Sequence, residues 1–150
     1  MENQPKDIII IGAGAIGVEF AYFFNAFGTK VTIVEMMPNI LPVEDHEVSV
    51  ELEKSFKKSG IEILSSTKVV GTKDLGNAVE ITIQEEGSDP RTLSSEVALI
   101  AIGVAPVLPA DFTMDLDRGY IVTDDNYQTS APGAVSYTHL RAHETDSYLV

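Results

Sequence analysis

The chain has 150 residues, 23 acidic against 10 basic side chains, a formal net charge of -13 and no cysteine. That length suits one sizeable core, and the hydrophobic fraction of 44% is ordinary for a globular protein. The charge argues against nucleic acid or an anionic membrane as a partner, and without cysteine the chain has neither a disulfide scaffold nor thiol chemistry.

Residues 1–6 are a polar lead without the basic region and apolar core of a signal peptide. A cytoplasmic location is the default expectation. Asp7 to Glu35 reads DIIIIGAGAIGVEFAYFFNAFGTKVTIVE. The unbroken run Ile8 to Ile11 fits a central parallel strand covered on both faces. It is too short to span a bilayer. Gly12, Gly14 and Gly17 follow in the spacing G-x-G-x-x-G. Next, Ile16, Phe20, Phe23, Phe24 and Phe27 recur at helical spacing on one face, and Gly28 stops the helix. A second strand, Lys30 to Val34, ends on Glu35.

A glycine motif alone is weak. This one follows a strand, opens a helix and has an acid about twenty residues on, at the end of the next strand, which is the context for dinucleotide binding. Gly12 can make the sharp turn, Gly14 can let a pyrophosphate approach the backbone, and Gly17 can let the helix pack closely. With Ala13, Ala15, Ile16 and Val18 these residues form the expected phosphate-binding turn, whose free N–H groups sit at the positive end of a helix. The bland alternative is tight strand–helix packing with no ligand. Glu35 can accept hydrogen bonds from a ribose 2′-hydroxyl and would repel a 2′-phosphate. Met36 and Met37 follow where an NADP site would want an arginine. NAD is therefore favoured over NADP, while FAD uses the same fingerprint and is not excluded by geometry.

Residues 36–44 hold Pro38 and Pro42 and should form a rigid turn. Asp45 is a plausible helix N-cap with Glu47 in the first turn. Val48, Leu52 and Phe56 recur every fourth residue, Lys57 and Lys58 suit the C-terminal end, and Gly60 ends the helix. Ile61 to Leu64 makes a third strand and completes a β-α-β-α-β half. From Thr67 the pattern changes. Val79, Ile81 and Ile83 alternate with polar residues, and turns at Gly76-Asn77 and Gly87 to Pro90 frame a three-stranded antiparallel meander ending near Ser94. Val97 to Ile102 is apolar throughout and returns to the buried parallel sheet, with Gly103 at its carboxyl edge. Asp117 to Thr123 reads as a turn and a last strand, and Gln128 to Gly133 as an exposed turn. The expected fold class is α/β: a Rossmann-like parallel sheet of about four strands with helices on one side and the meander on the other.

Four blocks carry a wider resemblance: GAGAIGVEFA, VTIVEMMPNILPVED, ALIAIGVAP and DRGYIVTDDNYQTSAPGA. From about Pro5 to Ala134 the chain resembles the NAD-binding domain of the FAD-dependent pyridine nucleotide–disulfide oxidoreductases, most closely the dihydrolipoyl dehydrogenase group. The resemblance implies a parent enzyme, a homodimer, that passes electrons from dihydrolipoamide through a redox disulfide and FAD to NAD. It implies that Glu19 lies near the nicotinamide and pairs with a flavin-domain lysine that this chain lacks; position alone allows a solvated helix residue. It places Val69 beside the adenine, though an ordinary core valine reads equally well, and Gly103 against the cofactor. The arginine that commonly follows that glycine is replaced by Val104-Ala105-Pro106. An NADH oxidase, a coenzyme A–disulfide reductase or a mercuric reductase of the same superfamily remains an alternative, as does a non-catalytic nucleotide-binding module.

On this reading residues 1–134 are the NAD-binding domain. The flavin domain, the disulfide cysteines and the dimerisation domain with its catalytic histidine lie elsewhere, so no catalytic residue is expected here and the chain alone should be inactive. The end, VSYTHLRAHETDSYLV, departs from the family, which continues with an aliphatic strand and a Gly-Asp pair. Val135 to Thr145 resembles an in-frame translation of a sequencing adapter, and residues 135–150 are expected to be non-native and disordered. His139 and His143 are spaced for zinc on a helix, but no supporting ligand set accompanies them and no metal is expected.

Overall fold

The computed structural model describes residues 3–108 and 113–136. The expectations for the tail beyond 136, including His139 and His143, lie outside the described residues. The chain divides into two compact units, Met1–Gly103 and Val104–Val150.

The first unit opens with β1 (Asp7–Ile11), α1 (Ala15–Ala26), β2 (Lys30–Val34), α2 (His46–Lys58) and β3 (Glu62–Leu64). Strands β4 (Thr67–Asp74), β5 (Val79–Glu85) and β6 (Arg91–Ser95) follow, then β7 (Val97–Ile100). A four-stranded parallel sheet has the order β3-β2-β1-β7, with Ile8 to Ile11 paired to Val31 to Val34 on one side and to Val97 to Ile100 on the other. The antiparallel sheet β4-β5-β6 is the expected meander.

The period of two in a strand explains why β1 is isoleucine throughout. Ile8 and Ile10 enter one core with Val31, Ile33, Val18, Ala21 and Phe56, the helix side. Ile9 and Ile11 enter a second core with Val34, Ile81 and Ile83, the meander side. All four are less than one-tenth exposed. Each such side chain contributes roughly 1.5–3 kcal/mol when buried, so a polar residue anywhere in the run would cost one layer or the other.

Helix α2 begins as expected: the Asp45 carboxylate accepts from the Glu47 N–H at 2.8 Å, and Lys57 and Lys58 occupy the last turn. Its inward face is Ser49, Leu52 and Phe56, whereas Val48 is 55% exposed. In α1 the apolar stripe turns outward. Gly17, Val18 and Ala21 are buried, while Ile16, Phe20, Phe23 and Phe27 are exposed and Phe24 is half-buried. The helix lies too close to the sheet for aromatic side chains to fit between them. The outward rings touch one another, with the Phe23 and Phe27 centroids 4.9 Å apart and the rings tilted. A patch of this kind is normally covered by protein. Replacing Phe23 and Phe27 with serine should leave the thermal midpoint within a few degrees, since each ring contact is worth only about 0.5–1.5 kcal/mol. It should also reduce self-association on size-exclusion chromatography; unchanged association would show that this patch is not what drives it.

The run Val97 to Ile102 is in the parallel sheet but not buried throughout: β7 stops at Ile100 and is an edge strand, with Ile100 65% and Ile102 75% exposed. In the second unit, β8 (Leu116–Asp117) and β9 (Tyr120–Ile121) form a hairpin. Its turn residues Arg118 and Gly119 both have positive φ, 50° and 90°, as a type I′ turn requires. Gln128 pairs with Val135 in an isolated antiparallel bridge. No helix among the described residues is long and apolar enough to cross a membrane.

Candidate functional site: the glycine turn and its carboxylate

The site lies at the carboxyl end of β1, where the chain turns into α1. Gly12 has φ +99°, and a Cβ there would stand 2.5 Å from the Ala101 carbonyl oxygen. Its N–H donates to the Val34 carbonyl at 2.9 Å. At Gly17 a Cβ would stand 2.0 Å from the Gly12 carbonyl oxygen. These two glycines are therefore demanded by the fold itself, one for the turn and one for the approach of helix to turn. Gly14 differs. It is the N-cap of α1, its φ of -69° suits any residue, and nothing lies within 4 Å of where its Cβ would be. The fold leaves space over Gly14 that it does not use.

Helix α1 starts with no side-chain cap and no acidic residue in its first turn. Its leading N–H groups, from Ala15 through Gly17, have no intrahelical acceptors, and the helix dipole adds positive potential there. Such an end suits an anion.

Glu35 sits beside it and is only 7% exposed. One carboxylate oxygen accepts from the Ala13 N–H at 2.6 Å and the other from the Met37 N–H at 2.8 Å. Its own backbone is held too: its N–H donates to Leu64 and its carbonyl accepts from Thr67, both at 2.9 Å. The Ala13 N–H is thus already engaged, leaving the N–H groups from Gly14 onward to face a ligand. Each carboxylate oxygen retains a further lone pair.

The other expected site residues are placed less tightly. Ala13 and Val18 are buried in the helix-side core, and Ala15 and Ile16 are partly open in the first turn of α1. Glu19 is exposed and has no hydrogen-bond or ion-pair partner among the described residues. It borders an apolar groove of about 510 Å³ between α1 and α2, lined also by Tyr22, Phe23, Phe27, Leu52 and Phe56. Val69 is half-buried against Ile81, Ile83 and Val34 in the meander-side core, beside a bulge before Gly71. Gly103 has φ +132° and is exposed, with open space around its Cβ position. The structure joins Gly12, Ala13, Gly17 and Glu35 through direct contacts; Glu19, Val69 and Gly103 share none of these. Among the described residues no group of three or more His, Cys, Asp or Glu could hold a metal ion.

Leu41 was not singled out as a site residue, yet its N–H donates to the Ala13 carbonyl at 2.7 Å. The only hint was the segment Ile40-Leu41-Pro42, which read as a structural turn.

Residues 1–134 match the family described as pyridine nucleotide-disulphide oxidoreductase. A dihydrolipoyl dehydrogenase from Chlorobaculum tepidum is 40% identical over 147 residues, covering 94% of this chain and 31% of that protein. One from Mycobacterium bovis is 51% identical over 132 residues, covering 84% and 28%. Among solved structures, the HOCl-induced flavoprotein disulfide reductase RclA from Escherichia coli, as its Cu(II) complex, superposes with a TM-score of 0.74 at 30% identity, covering 88% of this chain and 30% of that one. LpdA from Mycobacterium tuberculosis gives 0.74 at 28% identity, covering 87% and 29%. The chain thus spans less than a third of the length of these two dihydrolipoyl dehydrogenases.

Proposed function

This chain belongs to the pyridine nucleotide–disulphide oxidoreductase family, whose members bind FAD and NAD(P), and we propose that it is the NAD(H)-binding domain of a dihydrolipoyl dehydrogenase-like flavoprotein. In that enzyme electrons pass from dihydrolipoamide through a disulfide and FAD to NAD. FAD is held mainly by the rest of the parent protein, a cytoplasmic homodimer, and residues 1–134 present NAD to the flavin. The cofactors supply the redox chemistry; this chain supplies binding and orientation. No residue here acts on substrate, so the chain alone should be inactive. Lipoamide-dependent NADH turnover by the purified chain would refute that.

The observation that carries the reading is the pairing of an open, uncapped helix start at Gly14 with the Glu35 carboxylate, tied to Ala13. The N–H groups favour a pyrophosphate. The carboxylate's remaining lone pairs favour ribose hydroxyls, and its charge opposes a 2′-phosphate. Met36 and Met37, 63% and 44% exposed, offer no cation to compensate one. Val69 and Gly103 would border the bound nucleotide, and Glu19 would face the nicotinamide.

The direct test is a calorimetric titration of the chain with NADH, NADPH and FAD. Binding that favours NADH supports the reading; preference for FAD, or no binding by a folded chain, overturns it. Glu35→Ala sharpens the test. It leaves the Ala13 and Met37 N–H groups without acceptors, so a stability loss of about 1–3 kcal/mol is expected. NADH affinity should fall while discrimination against NADPH relaxes. A mutant that keeps full preference for NADH would remove the ribose role from Glu35.

A further inference from the structure

The two backbone groups of Ala13 are both consumed by one stretch of chain. Its N–H goes to Glu35 at the end of β2, and its carbonyl accepts from Leu41 six residues later at 2.7 Å. Between these points Met37 is fastened twice, its N–H to Glu35 and its carbonyl to the Ser66 N–H at 2.9 Å. Leu41 holds φ +49°, a conformation that L side chains rarely adopt, and it does so with its side chain buried. What keeps it there is visible one residue back. The Ile40 carbonyl accepts from the Ser49 hydroxyl, on the first turns of α2, and Ile40 and Ser49 are 0% and 2% exposed. A continuous path of hydrogen bonds and short backbone links therefore runs from Ser49 through Ile40 and Leu41 to Ala13, and through the Ala13 backbone on to Glu35.

We infer that Ser49 is a positioning residue for the dinucleotide site, acting through Ile40 and Leu41 to set the plane of the Ala13 peptide and hence the aim of the Gly14 N–H that follows it. This rests on the dinucleotide reading given above and deepens it. The 36–44 segment is then a second wall of the glycine turn, clamped from α2, which itself contributes no atom to the ligand. Ser49 holds no acid–base role; its hydroxyl satisfies a buried carbonyl that would otherwise let the segment relax. By thermodynamic reciprocity a ligand on the N–H groups tightens the same path.

The test compares Ser49→Ala with Ser49→Thr, which keeps a hydroxyl. In Ser49→Ala the ligand-free amide resonances of Leu41, Ala13 and Gly14 should move, and the Kd for NADH should rise about tenfold, a size within the usual range of coupling between two sites. Ser49→Thr should restore both. A folded Ser49→Ala whose Ala13 and Gly14 resonances stay in place overturns the coupling whether or not nucleotide binds. Unchanged NADH affinity overturns the positioning role while leaving the dinucleotide reading intact, and absence of NADH binding by the unsubstituted chain sinks both. Hydrogen exchange on that unsubstituted chain gives a check that needs no variant. Saturating NADH should slow exchange at the Leu41 amide; exchange indifferent to NADH counts against the path.

Discussion

Gly17→Ala is expected to destabilise this chain strongly, although it adds a single methyl group. The new Cβ would meet the Gly12 carbonyl oxygen at 2.0 Å, and both partners are backbone. No rotamer change relieves the clash, so α1 must lift from the turn, opening the core that Val18 and Ala21 share with Ile8 and Ile10. Alanine's better helix propensity offers at most about 1 kcal/mol in return. Overpacking against rigid neighbours costs about 3 kcal/mol or more, which for a chain of this size lowers the thermal midpoint by roughly 10 °C. Circular dichroism on heating measures it. Gly14→Ala is the control, because its Cβ enters open space at an ordinary φ. A Gly17→Ala midpoint equal to that of the control would show that helix and turn are not packed as described.

Gly14→Val separates binding from folding. A Cβ at this position meets nothing within 4 Å, so the unfolding midpoint should change little; the N-cap preference of glycine over valine is worth under about 1 kcal/mol. The isopropyl group then fills the space over the helix start and keeps a pyrophosphate from the N–H groups of the first turn. Several charge-assisted hydrogen bonds, each contributing roughly 1.5–3 kcal/mol, are lost together, so NADH binding should become undetectable by calorimetry. A folded Gly14→Val chain that binds NADH with parental affinity would remove the phosphate cradle from this turn and leave the glycine pattern as packing alone. Together the two variants would divide the motif by cause: Gly17→Ala tests what the fold demands, and Gly14→Val tests whether the open helix start binds a phosphate.

The groove beside Glu19, between α1 and α2, has aromatic and aliphatic walls. It offers a nucleotide neither a row of free N–H groups nor a cation. The glycine turn has such donors at the start of α1.

Much of this was legible in the residues themselves. The Ile8 to Ile11 run, the glycine spacing, the Asp45 cap and the alternation at Val79 to Ile83 are local patterns, each with a period or turn requirement that only one element satisfies. They determined the order of strands and helices, the parallel sheet with its meander, and the place of the turn relative to Glu35. The facing of α1 was not legible: the spacing of Ile16, Phe20, Phe23, Phe24 and Phe27 marks one apolar face but does not say whether that face meets the sheet. Its close approach at Gly12 decided that, admitting Gly17, Val18 and Ala21 and turning the phenylalanines out. Nor could sequence show that β7 is an edge, which depends on which strands pair beyond it. Above all, the sequence shows Glu35 only as a carboxylate able to accept from a ribose hydroxyl. In the fold it is already bonded to Ala13 and Met37, and Ser49 and Leu41 stand behind the same turn. Ala13 and Glu35 lie 22 residues apart in sequence; only the folding of β2 and the 36–44 segment against the turn brings Glu35 and Leu41 within hydrogen-bond reach of Ala13, where burial makes each bond costly to lose.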